Sequence, residues 1–156
     1  MELWELMSRE SIRDLVARYN ANGDSGRFNQ MLAVFAADAV LELVSMEGRV
    51  QRFEGIEQMA ALFTGTKSRW DRATDGAARR HHVRHLVATH QIDLEDREHA
   101  LGRSYFVVLM AHGVDHWGRY LDEYGVRDGQ WRITGRRVVT DGRTEGGRAD
   151  ADATNP

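Results

Sequence analysis

The chain has 156 residues, no cysteine, 42% hydrophobic and 29% charged residues, and a formal net charge of −3. That length suits one ordinary domain with a proper core, and the acidic balance argues against a protein built mainly to hold nucleic acid. Without cysteine, disulfides, thiolate catalysis and cysteine-ligated zinc or iron–sulfur centres are excluded.

The opening stretch MELWELMSRE is helical in pattern and lacks the basic and apolar regions of a signal peptide. No apolar run approaches the ~18 residues needed to span a bilayer, so a cytoplasmic protein with no membrane partner is expected. Leu3, Met7, Ile12, Leu15, Val16 and Tyr19 recur at helical spacing, with Asn22-Gly23 as a stop signal. Phe28, Met31, Leu32 and Phe35 predict a second helix. VLELV at 40–44 and GRVQRF at 48–53 predict strands, and Gly55 opens a third helix carrying Ile56, Met59, Leu62 and Phe63. Residues 65–80 show no period and are expected to form a loop.

The second half reads as strands. HVRHLVATHQIDL, HALGRSYFVVLMAH, VDHWGRYLDEYGV and QWRITGRRVVT are rich in β-branched and aromatic residues. Asp128-Gly129 between the last two is a hairpin signal. Helices followed by long hairpin-linked strands predict an α+β domain, its sheet curved over three helices around a pocket. The domain is expected to span 1–140, with a disordered tail over 141–156, where apolar residues are lacking.

RRHHVRHLVATH, residues 79–90, holds four of the seven histidines. On a strand His81 and His85 share one face, and His82 and His90 the other. There is no HExxH and no carboxylate at facial-triad spacing, so no metal site is expected. Lys67, Arg69, Arg72, Arg79, Arg80 and Arg84 with Trp70 can contact phosphates and a base. Asp71 and Asp75 balance them, and a solvated loop is the preferred reading. His85 shares its face with Val83, Val87 and Thr89 and is expected inside. Such a histidine is ordinarily a core residue; a carboxylate that orients its ring makes the other nitrogen a competent base. GxSxG is absent, which disfavours a serine triad. By their positions alone, Asp24 reads as the cap of the second helix and Tyr19 as core.

Several stretches, in their order and spacing, resemble the SnoaL-like branch of the nuclear-transport-factor-2-like superfamily. They are ESIRDLVARYNANGDSGRFNQMLAVFAADAVLEL at 10–43, FEGIEQMAALF at 53–63, RHLV at 84–87, GRYLDEY at 118–124 and DGQWRITGRRV at 128–138. The resemblance implies a cone-shaped barrel: a strongly curved antiparallel sheet packed on three N-terminal helices. By motif it is nearest to scytalone dehydratase, bile-acid 7α-dehydratase and hexachlorocyclohexane dehydrochlorinase. These share an aspartate after the first helix and a histidine on the first long strand. Asp24 and His85 occupy those positions, and Tyr19 matches a tyrosine beside the pair in the two dehydratases. Arg136 or Arg137 matches a basic residue on the last strand, and with His112 and Tyr120 completes a candidate substrate-binding set.

The activity so implied is a cofactor-independent lyase, of the dehydratase type, acting on a small apolar molecule. His85 removes a proton from carbon, Asp24 orients it, and Tyr19 donates a hydrogen bond. The alternatives are an isomerase or polyketide-type cyclase using the same base, or a non-catalytic ligand-binding or association domain. A homo-oligomer, dimer or trimer, is expected.

Overall fold

The computed structural model describes residues 1–73 and 83–149, and the side chains among these except at 66–73. Arg79, Arg80, His81 and His82 lie outside the described residues.

Helix α1 covers Leu3–Asp24. Ile12, Leu15 and Val16 bury as their spacing predicts, but Leu3 and Met7 are 72% and 62% exposed. The apolar stripe therefore meets the sheet only beyond the first two turns. Nor does the helix stop at Asn22-Gly23. It runs on to Asp24, with Ser25 as C-cap and Gly26 leaving in the left-handed region at φ 70°. Helix α2 is five residues, Phe28–Leu32. Phe35, expected on it, instead opens strand β1 (Phe35–Val44) opposite Ile133, so tertiary pairing overrides the local period.

Strand β2 covers Val50–Glu54, and helix α3 covers Gly55–Ala73. The loop expected at 65–80 is thus helical as far as Ala73. The remaining strands are β3 (Arg84–Leu94), β4 (His99–Met110), β5 (Gly113–Arg127) and β6 (Gln130–Arg143). Asp128 and Gly129 make the predicted two-residue turn, with φ of 51° and 73°, as a type I′ hairpin requires.

The strands form one curved sheet in the order β2-β1-β6-β5-β4-β3. The expected α+β architecture of a strongly curved sheet packed on helices is present, and the sheet is open, with β2 and β3 at its edges. It is also mixed: β1 runs parallel to β6, and the other neighbours are antiparallel. α1 packs on β3 and β6, and α3 on β1. The main core joins Ile12, Leu15, Val16, Phe35, Leu41, Met59, Ile92, Tyr124 and Ile133. A second apolar cluster of Val83, Phe106, Val108 and Tyr120 lies toward the start of β3. Each such aliphatic or aromatic side chain stabilises the fold by ~1.5–3 kcal/mol through removal from water.

Two irregularities set which residues face inward. Between Ala88 and Gln91 the β3–β4 register shifts, and Thr89 adopts φ 54°. Such a bulge reverses the alternation of side chains. His85 and Val87 face the helices before it, and His90, Ile92 and Leu94 face them after it, while Thr89 is exposed. His85 and His90 therefore share the inner face, contrary to simple alternation. The second irregularity lies at Asp115, where Val108 pairs with His116 but Leu109 pairs with Val114.

Strand β6 runs past residue 140 to Arg143, and the residues after it contact β5. Thr144 donates its amide to Asp115 O at 2.8 Å. The amides of Arg148 and Ala149 reach the Asp115 carboxylate at 2.6 and 3.2 Å. A buried acceptor, not apolar content, holds this segment down.

Candidate active site

Asp24 ends α1 and His85 begins β3, and the packing of α1 against β3 brings them together. Asp24 Oδ1 lies 2.6 Å from His85 Nδ1, and Asp24 Oδ2 accepts the His85 backbone amide at 2.9 Å. One carboxylate thus fixes both the ring and the strand that carries it. Asp24 does not cap α2; Arg27 occupies that position. The Asp24 side chain is 9% exposed and that of His85 is 28% exposed. An ionised carboxylate only accepts, so Nδ1 carries the ring hydrogen and Nε2 presents the lone pair. Ala17, Asn20, Ala21, Asp24, Ser25, Arg84, His85 and Val87 line a cleft of about 500 Å³ along the α1–β3 seam.

Tyr19 does not line that cleft. Its ring packs edge-on against Phe35 and Tyr120, at 5.7 and 6.1 Å, and the Arg136 guanidinium lies 4.3 Å from its centroid. Tyr120 stacks on Phe106 at 4.7 Å, and Phe106 meets the His85 ring at 6.5 Å, so aromatic contacts link Tyr19 to His85. Burial pushes the Tyr19 hydroxyl above its ordinary value despite Arg136, leaving it a protonated donor at neutral pH. The Tyr120 hydroxyl donates to Asn20 Oδ1 at 3.0 Å and is committed to the core.

Arg136 and Arg137, adjacent on β6, face opposite ways. Arg137 is on the outer face beside Glu42, at 3.5 Å. Arg136 is buried between the Tyr19 and Tyr120 rings, each 4.3 Å away. Its Nε and Nη2 donate to the two oxygens of Asp122 at 2.8 and 2.7 Å, while buried Nη1 lacks a hydrogen-bond partner among the described residues. Burial opposes the Arg136 charge, but Asp122 outweighs it and holds the guanidinium above its ordinary value. An arginine neutralised in this way is poorly suited to a second carboxylate. His112 sits in the β4–β5 turn, 3.1 Å from Asp115.

The SnoaL-like domain model matches residues 4–137. The chain belongs to the SnoaL-like domain family. Among solved structures it is similar to LinA, the hexachlorocyclohexane dehydrochlorinase, with 20% identity over 91% of each chain and a TM-score of 0.71. A protein assigned as a scytalone dehydratase from Novosphingobium aromaticivorans DSM 12444 shows 19% identity over 92% of this chain and 91% of its own, with a TM-score of 0.70. The β subunit of a protein assigned as an aromatic-ring-hydroxylating dioxygenase, from the same organism, shows 17% identity over 92% and 94%, with a TM-score of 0.72. At these identities the likeness shows the shared fold. No curated protein matches the chain significantly.

Inside this SnoaL-like fold are polar residues that sequence reasoning passed over. Asp122 also accepts from Tyr124 at 2.7 Å, and the Tyr124 hydroxyl lies 3.3 Å from His90 Nε2. Burial holds His90 below its ordinary value, favouring the neutral ring. The opposite charges of Asp122 and Arg136 across a recognised hairpin were a usable signal. Counting outward from the turn misses the pairing by one residue, because the register shifts between Glu123 and Tyr124. Among the described residues no group of three or more His, Cys, Asp or Glu is placed to hold a metal, and no helix is long and apolar enough to cross a membrane. A larger cleft of about 670 Å³ lies on the outer face, bordered by Glu42, Arg52, Arg103, Glu123 and Arg137, and is separate from the Asp24–His85 pair.

Proposed function

We propose that this protein is a cofactor-independent lyase that starts an elimination on a small, mostly apolar molecule by removing a proton from carbon. The observation that carries this reading is the 2.6 Å contact of Asp24 Oδ1 with His85 Nδ1. In this reading Nε2 is the base, and the Asp24 carboxylate stabilises the imidazolium formed on proton uptake. Ala17, Ala21 and Val87 in the lining of the cleft beside His85 suit a mostly apolar substrate. The likeness to a dehydrochlorinase and to a protein assigned as a dehydratase supports elimination as the outcome. Isomerisation or cyclisation begins with the same proton transfer and differs only in where the substrate's electrons go.

Tyr19, kept neutral by burial and packed against the cluster of Val83, Phe106, Val108 and Tyr120, is the hydrogen-bond donor of this reading for a substrate that extends inward from the cleft. The Arg136–Asp122 pair holds that ring and leaves little net charge to attract an acidic substrate. A second copy of the chain is proposed to cover the outer sheet face, where Leu86, Tyr105, Trp117 and Leu121 are exposed; light scattering measures this directly.

The base is tested with 5-nitrobenzisoxazole, whose ring opens by proton abstraction from carbon in any cavity holding a competent base. His85→Asn is expected to reduce turnover to the rate in buffer, and Asp24→Asn to lower it by ~10²-fold, the scale of one acid–base group. Wild-type turnover in both variants, with unchanged circular dichroism, removes the reading.

A further inference from the structure

The inner face carries a second carboxylate-held imidazole in line with the first. His85 on β3 pairs with Val108 on β4, and Val108 pairs in turn with His116 on β5. The two histidines stand in one row of the sheet, two strands apart, with backbones separated by ~10 Å at ordinary strand spacing. Between them Val108 and Phe106 are 1% and 2% exposed. The Phe106 ring meets both imidazoles, with centroids 6.5 Å from His85 and 6.0 Å from His116.

Both rings are held alike. Asp115 Oδ2 lies 2.7 Å from His116 Nδ1, as Asp24 Oδ1 lies 2.6 Å from His85 Nδ1. Each ring thereby keeps Nε2 for another partner. Asp115 is 1% exposed, a position a carboxylate holds only when its lone pairs are met. Besides His116 it has His112 Nε2 at 3.1 Å and the amides of Arg148 and Ala149. Asp115 occupies the bulge at which the β4–β5 register shifts, so two successive residues, Asp115 and His116, turn inward. The bulge, the buried carboxylate and the docked C-terminal segment all converge on the orientation of one imidazole.

Building on the reading of His85 as the base, we propose that His116 is the general acid of the same site, with Asp115 as its positioning residue. Nε2 of His85 takes the proton from carbon, and the C–H electron pair forms the new π bond. The bond from the adjacent atom to the leaving oxygen breaks, and that oxygen takes the Nε2 proton of His116, which enters the step as an imidazolium with Asp115 as its counter-charge. A hydroxyl leaves as water. His85 ends protonated and His116 neutral, and one proton exchanged with solvent resets both. The side chains are 28% and 26% exposed, which lets water reach each. The substrate class is accordingly one with a poor oxygen leaving group, for which protonation matters most.

The test compares two probes that differ in their leaving group. 5-Nitrobenzisoxazole releases a stable phenolate that needs little help, and unsubstituted benzisoxazole releases a poorer one. His116→Asn keeps a donor for Asp115 where Nδ1 sits and removes Nε2. It is expected to slow benzisoxazole at least tenfold more than the nitro compound, and His116→Gln gives a second reading should the first variant fold poorly. If His85→Asn abolishes both reactions while the His116 variants leave the ratio unchanged, the base stands and the acid is overturned. Unchanged rates in His85→Asn, or a wild-type protein no faster than buffer, overturn both.

Discussion

Replacing Asp122 by Asn is expected to destabilise the protein more than any surface change. In the structure Asp122 and Arg136 form a two-pronged pair with side chains 1% and 0% exposed. A pair this well covered is not screened by water as surface pairs are, whose net worth is ~0–1 kcal/mol. Removing one partner strands the other charge, at ~3–5 kcal/mol. The Asn variant keeps an acceptor oxygen for Arg136 but no charge, so the lower end, ~3 kcal/mol, is expected. For a domain of this size that is a fall in Tm of about 6–12 °C. Urea denaturation of wild type and Asp122→Asn measures it. The double variant Asp122→Leu with Arg136→Met removes both charges together and is expected to recover most of the loss. A loss below ~1 kcal/mol in Asp122→Asn, or a double variant less stable than the single, refutes the claim that an uncompensated buried charge is the cause.

Gly118→Ala is expected to destabilise by at least ~2 kcal/mol by overpacking, because a methyl there runs into the Val139 carbonyl oxygen and the Phe106 ring; thermal melting measures the loss. Although burial works the other way, hydrogen bonds from His116 and the Arg148 and Ala149 amides hold Asp115 below its ordinary value. Its contribution is therefore complete above ~3.9 and disappears as pH falls through the lower folded value. Hydrogen exchange at Arg148 and Ala149 should lose protection in that acid range and not between pH 5 and 8. Burial also keeps His90 below its ordinary value. As pH falls below ~6.5 the unfolded chain gains a proton that the folded protein does not yet take. Stability should therefore decline from there down to the folded value, and His90→Gln should flatten that slope in a pH series of melts.

The sequence by itself determined what depends on local period and on turn chemistry. The long β-branched segments became β3 to β6, and the two-residue turn at Asp128-Gly129 lies where its residues demand positive φ. The candidate pair of Asp24 and His85 came from a resemblance of ordered motifs, since nothing local distinguishes Asp24 from a helix cap. Only the tertiary structure decided which way the polar side chains turn. A bulge at Thr89 put His90 on the inner face with His85, and another at Asp115 turned two neighbouring residues inward. Arg136 rather than Arg137 came to lie inside, against an aspartate fourteen residues earlier that a register shift brought opposite it. Residues 144–149, with little apolar content, meet a carboxylate about thirty residues away. A bulge moves every later side chain to the other face, and a buried charge settles wherever a distant partner can meet it. Neither follows from the neighbours of a residue along the chain.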